Sequence, residues 1–202
     1  SLGAKVMQPA SIQEARLNRI EIDVRSTFSK MSGTLITKKK DILSKNTIRG
    51  ISFTKNDAKL TLIGIKDKPG VAASIFKPLY ENSINVDMVV QNISADSRET
   101  DLTFTVRLED LIKTRKLLEN NTLIKFRKLV ISKNVSKVSI VGVGMITTPG
   151  ITYKMFKSLA KEKINIEVIS TSEIKISVLI KKKNLKKSVE ILHQEFKLNN
   201  NL

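Results

Sequence analysis

Cysteine is absent from this 202-residue chain, and so is tryptophan. Without thiols there is no disulfide framework and no thiolate metal site. Aromatic residues make up only 4% of the sequence, and the single histidine, His193, falls among charged residues in a segment with helical patterning, where a surface role outweighs a catalytic one. No apolar run approaches the ~18 residues of a membrane span. The opening stretch SLGAKVMQPAS also lacks the apolar core of a signal peptide. The expectation is a cytoplasmic protein without a membrane partner.

Acidic residues are scarce as well: 19 Asp and Glu stand against 36 Lys and Arg, a formal charge of +17. Such a balance marks many nucleic-acid binders. Here the lysines are scattered, apart from short runs at 38–40 and 181–183, and the chain is also rich in Ile and Asn, the mark of a biased coding sequence. Charge alone therefore does not assign a nucleic-acid partner. The 41% hydrophobic and 27% charged content suffices for a buried core in one or two domains.

What the chain does have is an internal repeat. The segment GIKDKPGVAASIF (64–76) and the segment GMITTPGITYKMF (144–156) each carry a Pro-Gly pair leading into a helical apolar pattern. Gly70 and Gly150 are 80 residues apart, and the same shift carries INVDMV (84–89) onto INIEVI (164–169). Upstream, KNDAKLTLIG matches KNVSKVSIVG at a shift of 78, so the second copy has two extra residues before its Pro-Gly pair.

Periodicity gives each copy the same elements. Alternating β-branched runs at 59–65 and 137–143 predict strands. Val71, Ile75 and Leu79 line one helix face, as do Ile151, Met155 and Leu159. Strands are expected at 85–94 and 100–106 in the first copy and at 165–171 and 174–180 in the second. Leu108, Leu111, Ile112 and Leu118 predict a second helix, as do Leu185, Val189, Leu192 and Phe196. A strand at 124–132 closes the first copy. The fold class is α+β, two βαββαβ units of ferredoxin-like order with two helices on one face of a four-stranded sheet.

The second copy lacks a closing strand, since only the polar KLNNNL follows its last helix. RGISF (49–53) aligns with the first copy's closing strand, so 48–54 is expected to close the second unit, with the first inserted within it. The domains are then 55–133 and, discontinuously, 48–54 with 134–198. Pro78 is expected to kink the first helix. Residues 1–47 read as the end of another α/β domain plus a linker at 37–46, with a capping box at Ser11 and Glu14 and a strand at 20–26.

The first Pro-Gly loop has the chemistry to hold an amino acid. A helix N-terminus offers unpaired N–H groups and partial positive charge to an α-carboxylate. Gly70 lets a ligand approach the main chain, and Asp67 can accept from an ammonium group. Asn85, Asp87 and Gln91 are spaced by even steps, which predicts one shared sheet face. The second loop has Thr147 and Thr148 in place of an acid, so Gly150, Ile151 and Thr152 are expected to bind a smaller, less charged ligand or none. The Gly-x-Gly of GVGMITTPG fits neither dinucleotide nor P-loop spacing.

The motifs KDKPGVAASIF, INVDMVVQNIS, TDLTFTV, KVSIVGVGM, INIEVISTSEIKISVLI and LHQEF, in this order over 48–198, resemble the regulatory region of aspartokinase, built from tandem ACT domains. GAKVMQPASIQEA and the VRSTF…GTLI stretch resemble the end of that family's kinase domain. The resemblance implies an intact enzyme that phosphorylates L-aspartate with MgATP, under feedback by lysine, threonine or both. The family's N-terminal glycine-rich nucleotide motif is absent here, so this chain is expected to hold no cofactor and to be inactive alone, as a short regulatory subunit or a truncated product. It implies a homodimer through the ACT domains and a full-length catalytic subunit as further partner. By the same resemblance, Asp67, Gly70, Val71, Ala72, Asn85, Asp87 and Gln91 form the effector site, with Asn165 and Ile166 contributed by a second unit. A basic βαββαβ RNA-binding protein is the alternative, but it needs two or three aromatics on central strands, and only Phe104 is available.

Overall fold

The structure, a computed structural model, describes residues 6–29, 31–37, 47–93, 99–142, 145 and 148–198. The chain divides into two units, Gly3–Asn46 and Thr47–Leu202. The first contains α1 (Pro9–Leu17) and two short antiparallel strands, β1 (Ile22–Val24) and β2 (Thr34–Ile36). Its helix starts before the expected capping box: Gln8 is the N-cap and Pro9 takes the first helical position. Proline suits that place because its φ is already helical and its missing N–H would have had no helix partner. Ser11 therefore lies within the first turn. The expected linker, apart from Thr37, and the lysine run at 38–40 lie outside the described residues.

In the second unit the runs expected as separate strands at 48–54 and 59–65 merge into one 19-residue strand, β3 (Ile48–Lys66). After it come α2 (Val71–Glu81), β4 (Val86–Ile93), β5 (Glu99–Arg107) and α3 (Leu111–Glu119). The second copy follows with β6 (Lys128–Gly142), α4 (Ile151–Lys161), β7 (Ile166–Ser172), β8 (Lys175–Lys181) and α5 (Leu185–Glu195). The closing strand expected from residue 124 begins only at Lys128; Ile124 is buried ahead of it.

The two four-stranded sheets fuse into one antiparallel sheet in the order β4-β5-β3-β6-β8-β7. The long strands β3 and β6 cause the fusion, because each serves both repeats. The N-terminal part of β3 pairs with the second copy, Ile51 opposite Ile140 and Phe53 opposite Val138. Its C-terminal part pairs with β5 and with the start of β6, Leu60 opposite Phe104 and Ile131. Register shifts between Thr54 and Lys59 mark the changeover. The run ahead of the first copy thus lies beside the part of β6 that belongs to the second copy.

Each repeat keeps its own core on the helical face. Leu60, Leu62, Phe104 and Val106 pack with Ile75, Leu79 and Leu118 in the first. Val138, Ile140, Val178 and Ile180 pack with Met155, Leu159 and Leu192 in the second. Phe76 meets Phe104 edge-on at 5.3 Å, a contact worth roughly 0.5–1.5 kcal/mol beyond area burial. Helix α2 runs through Pro78 as one element and buries Ile75 and Leu79, two of its three predicted face residues.

A third cluster forms on the opposite, helix-free face. Met88 and Val90 from β4, Val135 from β6, Val168 from β7 and Leu179 from β8 pack together. Strands β4 and β7 are at opposite ends of the sheet order, so their shared cluster requires the sheet to fold over and bring the two helix-free faces into contact.

Candidate functional site

The two Pro-Gly loops adopt the same backbone. Gly70 has φ of 87° and Gly150 has φ of 89°, and each is the N-cap of its helix. This left-handed conformation is what demands glycine. A Cβ at either position would meet nothing within 4 Å, so backbone conformation rather than crowding fixes the residue type. The Val71 N–H donates to the Lys68 carbonyl at 3.2 Å and closes the turn. The other first-turn amides, at Ala72 and beyond, belong to the group that has no acceptor within a helix. Asp67, Gly70 and Thr148 are exposed, Val71 and Ala72 are half-buried, and Thr147 lies outside the described residues. In the second loop Ile151 is buried and Thr152 exposed, so that helix start presents less accessible surface.

The far ends of the two helices also match. Ser83 and Lys163 have φ of 56° and 57°, and the following residues, Ile84 and Ile164, return their N–H to Leu79 and Leu159 at 2.9 and 3.0 Å. The repeat is therefore visible in backbone geometry as well as in side chains.

Strand β4 does not present Asn85, Asp87 and Gln91 on one face. Asp87 is opposite Thr105, yet Val90 is opposite Thr103, so an extra residue is accommodated between them. Met88, at φ of 49°, sits in this bulge. A bulge reverses the alternation beyond it, and Gln91 ends up opposite Leu102, a residue of the helical-face core. Asp87 stays with Thr105 on the helix-free face. Nothing in the spacing of the sequence signals this extra residue.

The register also separates these residues along the sheet. Ile65 and Ile93 both pair with Thr100, so Gln91 lies near the strand end that leads into the Asp67–Gly70 loop. Asp87, opposite Thr105, lies five residues along β5 from Thr100, roughly 17 Å. Asn85, exposed just ahead of β4, is further still. Asn165, also exposed, and Ile166, half-buried, occupy the matching place at the start of β7.

Asp87 has a partner that sequence reasoning missed. Its Oδ1 accepts from the Met88 N–H at 2.8 Å, and its Oδ2 accepts from Lys137 Nζ of the second repeat. Partial burial pushes this carboxyl up, but the Lys137 hydrogen bond and charge, the Met88 amide and the Lys175 charge outweigh it and hold it below the usual aspartate value. The repeat held a clue to the pairing. Lys59 and Glu167 are the counterparts of Lys137 and Asp87, and they meet at 2.5 Å.

Among the described residues there is no group of three or more His, Cys, Asp or Glu able to hold a metal, and no helix is long and apolar enough to cross a membrane. Half-buried His193 sits in the last turn of α5. Phe104, the aromatic that an RNA-binding sheet would need exposed, is fully buried under α2.

Two βαββαβ units sharing one sheet, each with a glycine-started helix, define a tandem ACT-domain protein, and the ACT domain family model matches residues 60–121 and 138–196. The chain is 35% identical to the regulatory subunit of aspartate kinase from Thermus thermophilus, over 75% of this chain and 99% of that one, with a TM-score of 0.70. It is 41% identical to a chain of the structure of aspartokinase alpha and beta subunits, again over 75% and 99%, with a TM-score of 0.69. It is 43% identical to the aspartate kinase of Pseudomonas putida over 98% of its own length and 48% of that protein. The chain belongs to the aspartokinase family, as a regulatory ACT-domain region, and spans about half the length of the curated relatives it matches.

Proposed function

We propose that this chain is the amino-acid-sensing part of an aspartokinase, binding L-lysine, L-threonine or both between two copies and thereby inhibiting phosphorylation of L-aspartate by a catalytic partner or by a kinase domain ahead of it. One observation carries the reading: the candidate residues form two groups, one at the end of one edge strand and one at the start of the other. Asp67, Gly70, Val71, Ala72 and Gln91 gather where β4 ends, whereas Asn165 and Ile166 stand where β7 begins. Both β4 and β7 are edges of the sheet. Antiparallel pairing of β4 with β7 of a second copy sets the start of one strand beside the end of the other, which joins the two groups. The same pairing sets Asn85 and Asp87 beside Gly150, Ile151 and Thr152 of that copy.

Val89 on β4 and Ile169 on β7, 80 residues apart, are both exposed apolar side chains on these edges, as a strand-pairing surface requires. Ligand held across such a pair favours one arrangement of copies over another, which is how binding is passed to the catalytic part. The repeats occupy 55–133 and 48–54 with 134–198 in this reading. The RNA-binding alternative loses its surface, because the face it would use is the one closed between the repeats, where Thr105 and Ser139 are buried. Isothermal titration with L-lysine and L-threonine tests the proposal. Heat with a binding constant at or below the millimolar range is expected for at least one of them, and none with either would reject it.

A further inference from the structure

The repeat joint carries two ion pairs related by the internal duplication. Lys59 of the first repeat meets Glu167 of the second, and Lys137 of the second meets Asp87 of the first. Shifts of 78 and 80 residues interconvert them, so the two pairs are the same contact made in both directions. Their surroundings differ. The Lys59 and Glu167 side chains are 19% and 17% exposed, so that pair is closed on both sides. Lys137 is 13% exposed but Asp87 is 56% exposed. One carboxylate is thus sealed and the other is open to solvent while held from behind by a nearly enclosed ammonium.

From this asymmetry we infer that Lys137 is a positioning residue of the amino-acid site, the resident cation on Asp87 that the ammonium of an incoming amino acid must share or displace. The inference rests on the reading above and takes Asp87, set there beside Gly150 of the second copy, to face a bound amino acid. Asp87 has fixed geometry, with Oδ1 on the Met88 amide and Oδ2 on Lys137. An ionised carboxylate has about four acceptor positions, so lone pairs remain on the open side for a second donor. The charge of Lys137 nevertheless repels a second cation and neutralises much of the attraction that Asp87 would exert. Affinity is therefore set below what the carboxylate alone would give.

The contact also ties the ligand to the joint. Lys137 belongs to β6, the strand shared by both repeats, and pairs there with Thr54 and Leu179; Leu179 lies in the apolar cluster that holds the two helix-free faces together. An ammonium group drawing Asp87 away from Lys137 weakens a link between the repeats, so occupancy and joint geometry are coupled. At Glu167 the sealed counterpart allows no such exchange, which makes Lys59 the internal control.

The test is titration of the wild-type chain and its variants with L-lysine and L-threonine. Lys137→Met and Lys137→Gln keep most of the length of the side chain and remove its charge. Both are expected to tighten the site that Asp87→Asn weakens by about three- to tenfold, a range limited by the exposure of Asp87. Lys137→Arg, which restores a cation, is expected to return affinity to near the wild-type value, and Lys59→Met, which leaves Asp87 its own cation, is not expected to tighten the site. Two neutral variants guard against one that fails to fold. Unchanged or weaker binding in whichever of them folds overturns the inference and leaves the reading of the site intact. No binding by the wild type overturns both, whereas unchanged binding in Asp87→Asn overturns the inference and removes Asp87 from the site.

Discussion

Lys59 and Glu167 are 108 residues apart in the chain, yet their charged atoms meet at 2.5 Å in the joint between the two repeats. The Lys137 and Asp87 pair repeats this contact with the roles of the repeats exchanged. Each repeat thus gives one lysine and one acid to the joint, and the five apolar residues of the helix-free cluster lie in the same joint.

The sealed pair should be costly to break on one side only. Lys59→Met leaves Glu167 nearly enclosed without its counter-charge, and a loss of about 3 kcal/mol is expected in urea unfolding. Replacing both partners, Lys59→Met with Glu167→Leu, should recover most of that loss. A single variant as stable as wild type would mean that the pair contributes nothing to the joint.

Asp87 predicts a pH dependence. Its folded-state pKa lies below the usual value near 3.9, so it contributes stability above that value and loses it as the pH falls through the folded-state pKa. The stability gap between wild type and Asp87→Asn should be greatest at neutral pH and shrink below about pH 4. A gap that grows on acidification would contradict the ion pair.

Gly70 and Gly150 can be tested by adding a methyl group. With open space around each and φ near 90°, alanine meets no atom but strains the backbone, at a cost of ~1–2 kcal/mol. Equal falls in melting temperature for Gly70→Ala and Gly150→Ala are expected. Two unequal values would show that the loops, alike in backbone, differ in what they touch.

Ser136 offers a stabilising change. Its Oγ is buried with no hydrogen-bond partner among the described residues, and its counterpart in the first repeat, 78 residues earlier, is Ala58, equally buried. Removing an unsatisfied hydroxyl should gain about 1 kcal/mol. Denaturant unfolding of Ser136→Ala that shows a loss would mean the hydroxyl is satisfied in solution.

Much of the fold was legible because it is written in local terms. Helix α2 could be read from Val71, Ile75 and Leu79, and the strands from alternation, because a side chain's face depends on its neighbours in sequence. The run at 49–53 was legible as a strand, and it lies in β3, where it pairs with β6. The bulge in β4 was not legible. It moves Gln91 to the other face from Asp87 through one extra residue at Met88, and no periodicity of the side chains records it.

The sequence by itself determined the duplicated βαββαβ order, the glycine at each helix start and the membership of the ACT family, all of which depend on spacing along the chain. Only the tertiary structure decided that β3 and β6 each run through both repeats, and that the sheet closes on its helix-free face with Lys137 against Asp87. Backbone hydrogen bonds and charges join whichever groups the fold brings near, and across a separation of 50 residues the chain carries no mark of which lysine will face which acid.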